Sequence, residues 1–225
     1  MEEKNDWRRV FRDSMPVMAG YLVLGAGFGI LLRVRGYGLG WALGMSVFIY
    51  AGSMQFAGVS LMTSGAGIVT TALTTLFVNA RHLFYGISML DRYRDTGRRK
   101  PYLIFALTDE TYSLVCSGAD KSPVYCFRLS LLNHAYWVMG SALGSIAGAM
   151  LPLNFEGIDF SLTALFVTVF LDQWLSDKDH FPALVGVGAS LAAVLLFGAE
   201  RFLLPAMAGI SLALLLRGGP ERSGT

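Results

Sequence analysis

The sequence predicts an all-α protein: a polytopic membrane helix bundle with about six to eight hydrophobic segments, some broken or re-entrant. Three observations predict it. The 225 residues are 54% hydrophobic and only 15% charged, with a mean hydropathy of +0.52; a soluble domain carries about a quarter charged residues. The charges are gathered, eight of them in residues 1–14 and seven in residues 91–100. Residues 14–32, 36–80, 129–155 and 180–199 hold no Asp, Glu, Lys or Arg, and an uncharged apolar run of about eighteen residues or more is a candidate membrane helix. This balance excludes a secreted disulfide scaffold, a disordered chain, a nucleic-acid-binding domain and an ordinary cytosolic enzyme.

Residues 1–14 read as a cytoplasmic N-terminal segment, 15–216 as a single transmembrane domain and 217–225 as a polar C-terminal tail. The first helix covers residues 15–32 and is entered at Pro16, since proline is tolerated in a first turn. Its apolar run exceeds the roughly 7–15 residues of a signal-peptide core, so it reads as a membrane helix. Gly20, Gly25, Gly27 and Gly29 let its backbone approach a neighbour closely. Residues 36–90 carry one charge, Arg81, and at about 20 residues per crossing make two spans with a remainder. Gly52-Ser53 and Gly58 interrupt the first part, and Thr63-Ser64-Gly65-Ala66-Gly67 is a turn signal. Residues 68–90 then read as one long helix. After the polar loop 91–100, residues 102–117 are apolar except for Asp109 and Glu110. A polar turn at 118–123 leads into a long helix, 127–151, with Gly140, Gly144 and Gly148 on one stripe. An acidic loop, 152–159, and apolar segments at 162–175, 182–197 and 202–216 complete the domain, and no linker divides it. Thr71-Ala72-Leu73 and Thr163-Ala164-Leu165 hint at a weak internal repeat. Cys116 and Cys126 are too few for a disulfide framework and are expected as free thiols.

Charge placement conflicts with a simple count of spans. Short cytoplasmic loops are rich in Lys and Arg, so residues 1–14 and 91–100 both belong inside, yet three apolar segments separate them. One segment then fails to span, and the stretch around Gly52–Gly58 is the best candidate. The same reasoning, run back from the tail, makes residues 102–117 broken or re-entrant; the alternative is one loop that violates the charge rule. Irregular backbone survives at membrane depth only where protein buries it or a wet cavity adjoins it. Paired broken segments point to a transporter binding site.

The polar residues inside these segments are the candidates for chemistry. Arg81 lies some thirteen residues into the 68–90 helix, and a charge at a helix centre costs about 2.5–3.5 kcal/mol to insert. It reads either as an anion clamp, a fork of donors suited to a carboxylate, or as half of a structural ion pair. Thr75, Asn79 and His82 form a polar stripe beside it. Asp109 and Glu110 are its counter-charges, pointing about 100° apart and so toward different partners. A poorly solvated carboxylate exchanges protons near neutrality, so the two acids are candidate proton carriers, or else a static pair and an acid at a wet boundary. Ser53 and Gln55 adjoin the Gly52 break, where free backbone groups face a ligand or side chains bond between helices. Asn133 shares a face with Trp137 and the glycine stripe, which reads as close helix packing. His134 lacks the Cys, His and carboxylate neighbours of a metal site. Asp172-Gln173-Trp174 reads as a helix end, and Glu200-Arg201 as a loop pair. Walker, Gly-x-Ser-x-Gly and His-Glu-x-x-His motifs are absent, so neither an enzyme nor a cofactor is expected.

Three strings stand together: Tyr50-Ala51-Gly52-Ser53-Met54-Gln55-Phe56, Asn79-Ala80-Arg81-His82-Leu83-Phe84-Tyr85-Gly86 and Leu107-Thr108-Asp109-Glu110-Thr111-Tyr112. Their order and spacing resemble the AzlC family, the larger subunit of a bacterial two-component branched-chain amino acid permease described as an exporter. Met15-Pro16, Gly20-Tyr21 and Phe28-Gly29 fit as well. Family members often carry a proline just after the helix 1 tyrosine; Leu22-Val23 stands here, so no kink is carried over. The resemblance implies a small AzlD-type membrane partner, efflux of valine, leucine, isoleucine or methionine, and a multi-pass location in the bacterial inner membrane with the N-terminus cytoplasmic. It leaves a higher oligomer open. On this basis Arg81, Asn79, Ser53, Gln55, Asp109, Glu110, His82 and Asn133 are expected to bind substrate. Asp109 and Glu110 are expected to couple transport to protons by alternating access. The rival readings are a passive channel and a non-transporting membrane scaffold.

Overall fold

A computed structural model describes residues 2–117, 122–150, 167, 170, 171, 174, 175, 179–198 and 202–217. All regular elements among the described residues are helical. They fall into two compact units, Met1–Ile158 and Asp159–Thr225. In the first unit the order is α1 (Glu2–Val34), α2 (Leu39–Phe48), α3 (Gly52–Thr63), α4 (Ile68–Val78), α5 (Ala80–Ser88), a 3-10 turn at Gly97–Arg99, α6 (Lys100–Phe105), α7 (Asp109–Ser117) and α8 (Pro123–Met150).

The two long helices, α1 and α8, are the frame. Helix α1 begins well before residue 15, so Pro16 lies inside it rather than in its first turn. Contacts to α8 hold these extra turns: Tyr125 donates to Asp13 Oδ2 at 2.7 Å, and the Ser14 and Tyr136 hydroxyls stand 3.1 Å apart. Val10 is fully buried in a cluster with Leu103, Tyr125 and Leu129. Further along, the glycines form a seam. A Cβ at Gly25 would stand 3.0 Å from the backbone of Trp137 and Ser141, and one at Gly144 would overlap the backbone of Ala26. Close approach is what small residues at a helix interface permit. Gly140 and Gly148 also face α1, as the stripe predicted, whereas Gly20 and Gly27 of α1 face open space.

Between the long helices the chain is broken repeatedly. Helices α2 to α7 run from 6 to 12 residues each, and a crossing needs about 20. Among the described residues, only the Trp7–Val34 part of α1 is both long and apolar enough to cross a membrane as one helix. The helix expected over 68–90 is in fact two, α4 and α5, joined at Asn79 (φ −94°, ψ 2°). Its first half is crowded with β-branched residues, which are stiff in helices. At the junction the His82 N–H turns to the Asn79 carbonyl at 2.9 Å. The first interruption falls at residues 49–51, slightly before the glycines thought to cause it: Tyr50 takes φ 42° and Gly52 opens α3. Residues 102–117 are broken as expected, between Phe105 and Asp109. Neither Cys116 nor Cys126 is in a disulfide; the first is exposed and the second buried.

The second unit contains α9 (Phe181–Phe197) and α10 (Leu203–Arg217), packed on one another with Gly209 against Ala189. Asp179 accepts from Arg217 at 2.8 Å and from the Phe181 N–H at 3.2 Å, and the guanidinium lies over the Phe181 ring. Outside the described residues lie most of the 118–123 turn, the acidic loop, most of segment 162–175 with its half of the repeat and Asp172-Gln173, the pair Glu200-Arg201, and the tail beyond Arg217.

Candidate functional site

Each interruption creates a new helix N-terminus, and three of these ends bring their side chains together. Ser53 is the second residue of α3, Arg81 the second of α5 and Asp109 the first of α7. Arg81 forms an ion pair with Asp109 and donates its Nη2 to Ser53 Oγ at 2.8 Å. Local physics explains the pairing. A cation in a first helical turn opposes the helix dipole, whereas an acid there is favoured. Asp109 therefore satisfies its own helix and neutralises the misplaced charge on α5. Thr108 completes the start of α7, its hydroxyl accepting the Thr111 N–H at 3.3 Å in the manner of an N-cap.

The pair is only partly enclosed, with 40% of the Arg81 side chain and 33% of the Asp109 side chain exposed. It is also incompletely satisfied. Arg81 Nε, Asp109 Oδ1 and Asn79 Oδ1 are shielded yet make no hydrogen bond. Three of the described side-chain atoms that protein contacts leave unpaired thus cluster at this ion pair. Arg81 does not lie thirteen residues into a helix, and the stripe Thr75–Asn79–His82 is not continuous, because the chain breaks at Asn79. Thr75 bonds back to the Thr71 carbonyl at 2.7 Å, and the His82 ring meets Tyr85 edge-on.

Glu110 turns away from Arg81, as the 100° offset predicted. It accepts from Tyr21 of α1 at 2.6 Å. The Tyr21 hydroxyl also stands 2.7 Å from Thr108 Oγ1, Thr108 donates to Thr111 at 3.0 Å, and Asn133 Nδ2 of α8 donates to Thr111 at 3.0 Å. This second cluster ties α7 to both long helices. Asn133 Oδ1 and the Tyr50 hydroxyl, both in buried residues, make no hydrogen bond. Gln55 joins neither cluster. Fully buried, it accepts from Trp137 Nε1 at 2.8 Å and donates to Ser46 at 3.3 Å, bracing α2, α3 and α8. His134 stacks on Tyr50 and bonds to Ser46 O and to the Tyr102 hydroxyl, at 3.1 and 3.0 Å. The carbonyl can only accept, so Nε2 carries the proton.

Of the expected binding residues, Ser53 and Asp109 meet Arg81 directly. Asn79 contributes an unpaired oxygen two residues away. Glu110 and Asn133 belong to the second cluster, Gln55 to packing and His82 to an aromatic contact. Sequence reasoning missed Tyr21, Thr108 and Thr111 as members of a polar cluster. The available signal was Tyr21 itself: a tyrosine within an uncharged apolar helix needs a partner for its hydroxyl. Among the described residues no group of three or more His, Cys, Asp and Glu is placed to hold a metal ion.

Comparison with known proteins locates the chain. The family model described as "AzlC protein" matches residues 16–151. The "Branched-chain amino acid transport protein AzlC" of Bacillus subtilis strain 168 is 44% identical over 209 residues, covering 91% of this chain and 82% of the relative. An "Uncharacterized membrane protein" of Helicobacter pylori strain J99 is 40% identical, covering 94% and 96%. The "Inner membrane protein YgaZ" of Escherichia coli K12 is 26% identical, covering 83% and 80%. No solved structure matches the chain.

Proposed function

The chain belongs to the AzlC family of membrane proteins, and from that premise we propose that it is the substrate-binding subunit of a permease for branched-chain amino acids. The observation that carries the reading is the meeting of Arg81, Asp109 and Ser53 at three half-helix N-termini. Half-helix ends directed at a charged substrate group are how discontinuous helices build transporter sites. Arg81 and Ser53 hold the substrate carboxylate, and Asp109 with Asn79 receives the ammonium. The exposed apolar side chains of α4 and α5 face lipid or a partner, which fits the bilayer.

The transport direction is export, by alternating access, from an inner membrane in which the N-terminus is cytoplasmic. Glu110 is the coupling group: it lies beside the substrate pair in sequence but bonds to Tyr21 of α1, so it links the pair's helix to the first long helix. The partner is a small membrane subunit of the AzlD type. Relatives named as transport and membrane proteins support a carrier rather than an enzyme.

Counterflow of labelled leucine in proteoliposomes, with and without the small subunit, tests the reading. We expect Arg81→Gln to reduce flux about tenfold or more, since a hydrogen bond to a charged group is worth about 1.5–3 kcal/mol. Full flux in a folded Arg81→Gln protein removes the clamp. Leak of leucine down its gradient without counterflow identifies a passive channel, and counterflow indifferent to a proton gradient removes the coupling role.

A further inference from the structure

We infer that Asp109 is an internal stand-in for the substrate, so that the site admits only a zwitterion, which inserts between Asp109 and Arg81 and exchanges one ion pair for two. The inference rests on the transport reading and names how its site selects. The guanidinium that would take a substrate carboxylate already holds a carboxylate, that of Asp109. Its second edge is anchored, through Nη2, on Ser53. An anion that takes the Nη1 side of the guanidinium, with Nε as a further donor, therefore displaces Asp109.

Charge decides what can displace it. The pair is neutral, and a partly enclosed site penalises any unpaired charge left behind. A lone carboxylate that takes Arg81 strands Asp109 beside it as a second anion. A lone amine that takes Asp109 strands Arg81. An α-amino acid brings both charges, so the site is neutral before and after the exchange. The unpaired atoms match this exchange. Arg81 Nε offers one more donor to a carboxylate, and Asp109 Oδ1 and Asn79 Oδ1 offer two more acceptors to an ammonium. Inserted this way, the ligand satisfies atoms that the internal pair leaves bare.

The test compares three ligands with the same branched tail, using the full chain in nanodiscs: leucine, 4-methylpentanoate (carboxylate only) and 3-methylbutylamine (ammonium only). For the unaltered protein we expect leucine to bind about a hundredfold more tightly than either analogue, roughly tenfold for the missing charge contact and roughly tenfold for the site charge the analogue leaves unpaired. We expect Asp109→Asn to weaken leucine about tenfold and to strengthen 4-methylpentanoate by a similar factor. Arg81→Gln is expected to do the same for 3-methylbutylamine. A gain of binding for the complementary analogue is an outcome that mere structural damage does not produce. If either variant fails to fold, the three ligands on the unaltered chain still decide. An analogue that matches leucine on the unaltered chain, or folded variants with unshifted preferences, overturns this inference while the transport reading stands. Absence of leucine binding to the unaltered chain overturns both.

Discussion

At the scale of single residues, the distinction that matters is between polar groups left partly open and polar groups fully engaged. Arg81 and Asp109 are the first kind, Gln55 the second. Gln55→Leu strands the buried Trp137 N–H, which costs about 1–3 kcal/mol; thermal unfolding in detergent should fall accordingly, with leucine affinity of the folded fraction unchanged. Asp179 gives a separate, pH-dependent case outside the apolar segments. Its hydrogen bond from Arg217, then that from the Phe181 N–H, holds its carboxyl below the ordinary range. A carboxyl whose folded pKa is depressed stabilises above the unfolded value, about 3.9, and loses that contribution as pH falls through the folded one. The carboxylate signal of Asp179 in an NMR titration should therefore move below the ordinary range, and Arg217→Gln should return it. Arg81, Asp109 and Ser53, which the structure brings together, were legible as candidates because charge and broken-helix context are visible one residue at a time. Sequence did not show that Gln55 would bond to Trp137 or Asn133 to Thr111, because an amide in an apolar segment looks the same whether a ligand or a neighbouring helix takes its hydrogen bonds.

At the scale of elements, hydropathy located the apolar segments and glycine spacing found the seam, because both are periodic signals. Interruptions are harder to read. The break at Asn79 has no glycine or proline, and asparagine fits a helix and a turn alike, so residues 68–90 look continuous. The broken form goes with contacts that draw Arg81 toward α7 and α3, which sequence does not display. The seam itself yields a sharp expectation. Gly144→Ala places a methyl group in the backbone of Ala26, and overpacking of this kind costs about 1–3 kcal/mol. Gly27→Ala meets nothing within 4 Å and removes a helix-disfavouring glycine, worth up to about 1 kcal/mol in the other direction. The two substitutions should move the unfolding temperature of the purified protein in opposite senses.

For the whole molecule, the basic segments at 1–14 and 91–100 should share one side of the membrane, since both follow the positive-inside pattern. In a chain with Cys116 and Cys126 replaced by serine, single cysteines at positions 4 and 95 should react with an impermeant maleimide in inverted vesicles and not in intact cells. Labelling of the two from opposite sides would refute the arrangement. That the described chain is helical with several apolar helices was legible because lipid demands long uncharged runs. Which of them stay in one piece was not, because that is settled by contacts between distant helices. The pairing of α1 with α8 carries a consequence for how the chain is made. Ser14 and its mate Tyr136 are 122 residues apart, and ribosomes add roughly 5–20 residues per second. The first helix to emerge thus waits on the order of ten seconds for the surface it fits, its Tyr21 hydroxyl unmatched until α7 arrives and its glycine face uncovered until α8 does.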